Sequence, residues 1–391
     1  MLIVDVLVIL ILVAALAGGL ARGFFASIGT LLGLAAGGVA AFWLTPLVSA
    51  WVPTPGWRTV AVLVTVGVLL AGGAAVGSAI GAALRGGAER LRLGVVDRLF
   101  GGVAGVVIAA LALVLAAPAV TAIGMPGVSS AVASSRVIQT IDILTPPFVD
   151  TALAELRSTV IDDGLPRLGG LLAPDASVDP APPVALDDPA LQTAAASVAR
   201  VSGTAFSCGR SFTGSGFVVS ADRVVTNAHV VAGVETPVVE LPGIGAREGR
   251  IVYFDAVDDL AVIAVDDLGV APLVAAPTLG PGAAAAALGY PLGGPFTSSP
   301  ASVLSVATVP VADIYGERQT LREVYSLQAS VRPGNSGGPL VTADGRVAGV
   351  VFARAEDDAE RGYAMTTAEL APVVERASSL SEPVSSGTCV L

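Results

Sequence analysis

The chain has 391 residues, 32 acidic against 21 basic side chains, a formal net charge of −11, one histidine and two cysteines. So acidic a balance excludes the positive footprint that nucleic-acid binding requires. The lone histidine and the absence of any CxxC pattern exclude a His/Cys metal cluster. Charge is unevenly placed: residues 1–123 carry a net of +3, residues 124–195 a net of −6 and residues 196–391 a net of −8. We expect three parts with those boundaries: a transmembrane region, a stretch of amphipathic helices and linker, and a β-rich domain.

Four apolar runs in the first part, Leu2–Leu20, Phe24–Leu47, Val60–Leu84 and Leu99–Ile123, are long enough in helix to cross a bilayer, which takes about 20 residues. The first run lacks the positively charged leader of a signal peptide and carries Asp5 there instead, so it reads as a retained span. Loop 85–98 holds Arg85, Arg90, Arg92 and Arg98, and the first turn holds Arg22, whereas the second loop holds only Arg58. The positive-inside rule then puts the first and third loops in the cytoplasm and both termini outside. Glycines recur every four residues in span two (Gly29, Gly33, Gly37) and span three (Gly73, Gly77, Gly81). Such stripes let helix backbones approach closely, within one bundle or between copies of the chain.

Residues 128–144 and 148–163 have apolar side chains at helical spacing, separated by Pro146 and Pro147. Ala173–Pro189 is rich in Pro, Asp and Ala, as a linker is. Asp188–Pro189 ahead of an Ala-rich run reads as a helix start.

From Val201 onward short β-branched runs alternate with Gly, Asp and Pro, as at 216–220, 223–226, 238–241, 250–254, 260–265, 347–351 and 361–365. Many short strands without intervening helices predict a sandwich or barrel. Cys208 and Cys389 lie near the two ends of this domain, and on the outer side of a membrane they would pair as a disulfide.

Three local sequences carry chemistry. The only histidine, His229, follows a β-rich run in Thr226–Val231. An acidic pair, Asp258–Asp259, opens the apolar strand Leu260–Ala261–Val262. Ser336 sits in the turn Pro333–Gly334–Asn335–Ser336–Gly337–Gly338–Pro339. A serine hydroxyl needs a base within hydrogen-bond reach, and that base needs an orienting carboxylate. The glycines around Ser336 permit a tight turn whose N–H groups converge on a developing oxyanion. The order His, Asp, Ser is that of the chymotrypsin-type triad. As the chain's single imidazole, His229 should set the acidic limb of the activity profile.

TNAHVV, DLAV and PGNSGGPL resemble the signatures of trypsin-like peptidases, nearest to the HtrA branch, over about Ser202 to Val374. The resemblance implies an all-β chymotrypsin-like double β-barrel, with His229 as general base, Asp259 as its orienting partner and Ser336 as nucleophile. Asp258 is the rival for the acid role. Backbone N–H groups of Gly334, Asn335 and Ser336 would form the oxyanion hole. Ser330 would sit at the base of the specificity pocket, with Val350, Val351, Phe352 and Ala353 as a wall, admitting a small or medium apolar residue. Arg332 reads as a surface charge. Asn335 stands where trypsin-type zymogens have an Asp, so activation by an inserted N-terminus is not expected.

The four-span region resembles the colicin-V-production (CvpA-like) membrane family in layout. The whole chain resembles the MarP family of periplasmic acid-resistance serine proteases. That implies no cofactor, the lipid bilayer as a partner, and cell-envelope protein substrates such as cell-wall hydrolases. HtrA proteases usually add a C-terminal PDZ module, which is not expected here. The competing readings are a membrane scaffold with a non-catalytic protease-like domain, and a serine esterase, whose GxSxG pattern the GNSGG letters also fit.

Overall fold

A computed structural model of the protein describes residues 2–51, 55–90, 94–122, 131–132, 135–145, 166–168, 184, 188–205, 207–208 and 210–390. The chain divides into two compact units, Leu2–Leu115 and Ala116–Leu391.

The first unit is helical: α1 (Leu2–Arg22), α2 (Phe24–Trp51), α3 (Pro55–Arg90) and the first part of α4 (Gly94–Ala122). Three of these contain stretches long and apolar enough to cross a membrane, Ile3–Arg22, Phe24–Ala41 and Val95–Val114; in α3 the apolar stretch is the shorter Gly67–Ala83. The expected glycine stripes face each other across α2 and α3. A Cβ on Gly33 would lie 2.0 Å from the Gly73 carbonyl oxygen, and one on Gly77 would lie 2.0 Å from that of Gly29. Any larger side chain would force the backbones apart, so the stripe sets the helix separation. At the start of α2, the Asp97 carboxylate accepts the N–H groups of Phe24 at 3.0 Å and Phe25 at 3.3 Å, donors that the helix leaves without intrahelical partners.

In the second unit, α5 (Arg136–Leu144) falls inside the first expected amphipathic segment. The other, 148–163, lies outside the described residues. Helix α6 (Pro189–Ala195) starts as its sequence predicts: Asp188 is the N-cap, accepting the Ala190 N–H at 2.8 Å, with Pro189 in the first turn.

Two curled seven-stranded sheets follow. The first has the order β6 (Gly245–Glu248), β5 (Val238–Leu241), β2 (Val198–Ala205), β3 (Arg210–Ser220), β4 (Arg223–Thr226), β8 (Leu260–Ala264), β7 (Arg250–Asp255). The second has the order β1 (Arg167–Leu168), β13 (Val347–Ala355), β12 (Pro339–Val341), β9 (Ala284–Gly289), β10 (Thr297–Ala312), β11 (Gln319–Gln328), β14 (Arg361–Thr366), and a β13–β14 pairing joins it to itself. The short β1 comes from the connecting segment and adds parallel to β13, pairing Arg167 with Arg354. All seven sequence-predicted strands are present. A shared core in which Phe217, Val225 and Val262 of the first sheet meet Val324, Val350 and Phe352 of the second holds the two sheets together.

Helix α8 (Thr367–Ala377) follows the second sheet, and the tail then returns along the first. Val384 donates to Ile251 O at 2.8 Å, and Gly233 donates to Ser386 O at 3.1 Å. Cys389 is bonded to Cys208, with Cα atoms 6.6 Å apart. Cys208 lies in the turn between β2 and β3 rather than in the first strand.

Candidate active site

Register explains why a histidine and an aspartate 30 residues apart meet. β4 and β8 are antiparallel, with Thr226 opposite Ala261. The residues just after β4 and just before β8 therefore emerge side by side. After β4 the chain makes the single helical turn α7 (Ala228–Val231), which carries His229. Before β8 it turns through Asp259, whose φ of +54° is uncommon for a non-glycine residue and least costly for Asp or Asn. Asp255 shapes that turn by accepting the N–H groups of Val257 at 2.8 Å and Asp258 at 3.0 Å.

The result is a buried, fully oriented pair. His229 Nδ1 lies 2.8 Å from Asp259 Oδ2 and 3.0 Å from Oδ1, and the His229 backbone N–H donates to Oδ1 at 2.9 Å. Asn227 locks the same turn by donating its side-chain amide to Asp259 O at 2.8 Å. With the carboxylate on Nδ1, that nitrogen carries the proton and Nε2 is left with its lone pair, the state a general base requires. Asp258 makes no such contact. Burial pushes its carboxyl above the usual carboxylate range, Asp255 pushes it further, and Arg322 pulls it back.

Ser336 arrives from the second sheet, on the turn between β11 and β12. Two glycines allow it to dock. Gly337, at φ +81°, packs so tightly that a Cβ would lie 2.2 Å from Ser215 O and 2.9 Å from Asn227 N, which brings the serine turn against the segment leading to His229. Gly334, at φ +92°, packs in the same way on Tyr290 O, 2.4 Å from where a Cβ would sit. Among the described residues, neither Ser336 Oγ nor His229 Nε2 has a hydrogen-bond partner. Such bonds are commonly long before substrate arrives.

Sequence reasoning missed Ser215. This buried residue of β3 donates its N–H to Ser336 O at 2.7 Å and its hydroxyl to Gly334 O at 2.7 Å, and it accepts the Tyr290 N–H at 2.9 Å. Its own carbonyl accepts the Thr226 hydroxyl at 2.7 Å. One small residue, through its backbone and its hydroxyl together, thus ties the nucleophile turn to the strand that leads to the histidine. The only signal in the sequence was the Gly214–Ser215–Gly216 spacing, where the flanking glycines leave room for the approach.

Two expectations need correction. The Asn335 N–H is already donated to Arg332 O at 3.0 Å, so it cannot serve an oxyanion. The N–H groups of Gly334 and Ser336 make no hydrogen bond among the described residues. The expected pocket wall also differs. Ser330 is exposed, whereas Val350, Val351, Phe352 and Ala353 are buried in the cores. β13 is paired on both sides, and its side chains fill those cores. Arg332 is exposed, as a surface charge would be. Among the described residues, no group of three or more His, Cys, Asp or Glu side chains is arranged to hold a metal ion.

Comparison with known proteins bears on both halves of the chain. Residues 214–350 match the trypsin-like peptidase domain family, and residues 4–146 match the colicin V production protein family. The chain is 34% identical to the serine protease Rv3671c of Mycobacterium tuberculosis, covering 99% of this chain and 98% of that one. It is 38% identical to the mitochondrial serine protease HTRA2 of Bos taurus over 35% of this chain and 30% of that one. A crystal structure of the active form of the Rv3671c protease is 37% identical, with a TM-score of 0.53, covering 56% of this chain and 98% of that one.

Proposed function

The chain belongs to the MarP-type serine proteases, in which a colicin-V-production (CvpA-like) region precedes a trypsin-like peptidase domain, and from that premise we propose that it is a membrane-anchored endopeptidase of the cell envelope working through His229, Asp259 and Ser336. It is a serine endopeptidase, and its protease domain is chymotrypsin-like with curled sheets. The observation that carries the site assignment is the buried carboxylate of Asp259 on His229 Nδ1, with Ser336 on the turn docked against the same segment.

In this reading Ser336 Oγ attacks the peptide carbonyl carbon while His229 Nε2 takes the hydroxyl proton. The N–H groups of Gly334 and Ser336 receive the oxyanion, and the imidazolium, held by Asp259, returns the proton to the leaving amine. Water then repeats the sequence on the acyl-enzyme. Both sheets are read as barrels, with His229 and Asp259 on the first and Ser336 on the second. Four spans over residues 1–123 anchor the chain, residues 124–195 connect, and residues 196–391 form the catalytic domain. The arginine bias of the loops favours placing that domain and both termini outside the cytoplasmic face. Cell-envelope proteins, cell-wall hydrolases among them, are the substrates, and survival of acid or oxidative stress is the role that the family resemblance implies.

Fluorophosphonate labelling of the full-length protein, wild type against Ser336→Ala, followed by a peptide-library cleavage assay, tests the assignment. Labelling and cleavage that both disappear in the variant support it. Labelling without peptide cleavage points to an esterase, and an unlabelled wild type to a non-catalytic scaffold.

A further inference from the structure

Strand β13 pairs with β1, β12 and β14, and two of these lie on the same edge. Arg354 pairs with Gly362 of β14 and with Arg167 of β1, so β14 and β1 flank the strand on opposite edges. Gly349 and Val350 pair with both β12 and β14, so β12 also lies opposite β14. β12 and β1 therefore follow one another along a single edge. Between them comes the nucleophile turn. Gly337 donates to Val351 O at 2.8 Å and Val351 donates to Gly338 O at 2.9 Å, through the two residues directly after Ser336. Further along, the edge passes to β1: Arg354 donates to Pro166 O at 3.2 Å and Glu356 donates to Leu168 O at 3.3 Å. Leu168, partly buried, packs against the core shared by the two sheets.

A peptide held for cleavage has use for that edge. Its leaving amine takes a proton from His229, on the first sheet, so its acyl half lies on the side of the second. An extended backbone gains affinity by adding to a strand edge, and the edge leading on from the Ser336 turn is that of β13 at Arg354 and beyond. The Arg354 N–H is already given to Pro166. Direction matters as well. The acyl half runs toward Ser336, antiparallel to β13, whereas β1 is parallel to β13. β1 thus moves away from Ser336 as the chain proceeds, an orientation that fills the edge without presenting a bond of residues 166–168 for attack.

We propose that Pro166–Leu168 is a built-in competitor for the acyl half of the substrate: the connecting segment occupies the β13 edge, and a peptide must displace it to be cut. The inference rests on the triad reading above and concerns only access to that triad. Small reagents that reach Ser336 without using the edge are unaffected, whereas affinity for a peptide is reduced to the fraction of time the edge is free.

The test uses the full-length protein, wild type against Leu168→Ser, which loses the apolar contact that holds β1, and Leu168→Ile, which keeps one. Each receives a peptide substrate with four residues on the acyl side, a substrate with one, and a fluorophosphonate. For the long peptide, KM in Leu168→Ser falls by about 3- to 10-fold with kcat kept, the range for an edge free about a tenth to a third of the time in wild type. The short substrate and the labelling rate stay within about twofold, and Leu168→Ile behaves as wild type. A merely structural role would not tighten binding, so an unchanged or raised KM for the long peptide in a folded Leu168→Ser protein overturns the proposal. An equal gain with all three reagents overturns it too. If Leu168→Ser does not fold, hydrogen exchange of the wild type decides. The stretch 166–168 should exchange faster when Ser336 carries a peptidyl phosphonate with four residues on the acyl side than when it carries the fluorophosphonate, and equal exchange in the two adducts overturns the proposal. A wild type that no fluorophosphonate labels sinks the triad reading instead.

Discussion

In an Asp259→Asn variant, the carboxylate that accepts both the ring N–H and the backbone N–H of His229 becomes an amide of nearly the same shape. The carboxylate is 3% exposed, and its oxygens lie 2.8 and 3.0 Å from Nδ1. The charge centres of imidazolium and carboxylate are then roughly 4 Å apart, and at an effective dielectric of about 20 their attraction is about 4 kcal/mol. At about 1.4 kcal/mol per decade, losing it slows the step that forms imidazolium by about 10³. The amide adds a second fault. Its oxygen is claimed by the His229 backbone N–H, so its NH₂ faces Nδ1 and drives the proton to Nε2, where the base must be free. We expect kcat/KM to fall by about 10³ to 10⁴ with the thermal transition nearly unchanged. The assay is peptide cleavage in the plateau region, with circular dichroism melting alongside. A loss under tenfold in a folded variant would refute the assignment of Asp259 as the orienting acid.

Asp258→Asn separates the rival acid. Burial raises the folded-state pKa of Asp258 above its unfolded value, so its ionisation destabilises the fold, and this penalty is absent at low pH and fully present above the folded pKa. The variant should be more stable than wild type at pH 7, gain nothing at pH 3 and keep activity within tenfold; chemical denaturation at both pH values checks the sign. Gly334→Ala puts a Cβ 2.4 Å from Tyr290 O at a φ of +92°, and should cost about 10² or more in kcat by displacing an oxyanion donor, with KM less affected; steady-state kinetics that leave kcat intact would remove Gly334 from that role. The Cys208–Cys389 bond closes a loop of 181 residues, so replacing both cysteines by serine should lower stability by about 3 to 5 kcal/mol on the chain-entropy account, read as a lower urea midpoint of the protease domain's transition.

The site was legible where chemistry forces residue type into short sequence. Val225–Val231, Asp259–Val262 and Pro333–Leu340 each hold the reacting residue with the glycines or small residues that its turn needs. The strands around them were legible because β-branched residues alternate with turn formers. β9 and β10 were not. Ala284–Ala287 has the composition of a helix, and it becomes strand because it is buried between β10 and β12, where only small side chains fit. β10 carries Pro300 and Pro310, yet each half of that strand has a partner on one side only, β9 for residues 297–302 and β11 for residues 302–312. Each missing N–H therefore costs no ladder bond.

By itself the sequence determined that this chain has a membrane half and a β-rich half, that His229, Asp259 and Ser336 are the candidates, and that spans two and three carry glycine stripes. These are local properties: the lengths of apolar runs, and spacings that a turn or a helix face translates directly. The tertiary structure decided between Asp258 and Asp259, because only the pairing of β4 with β8 sets which carboxylate meets the ring. It withdrew the Asn335 amide from the oxyanion hole and sent the Val350–Ala353 side chains into the cores. It also brought Ser215 to the site from 121 residues before the nucleophile, contacts made only when two sheets close on a shared core.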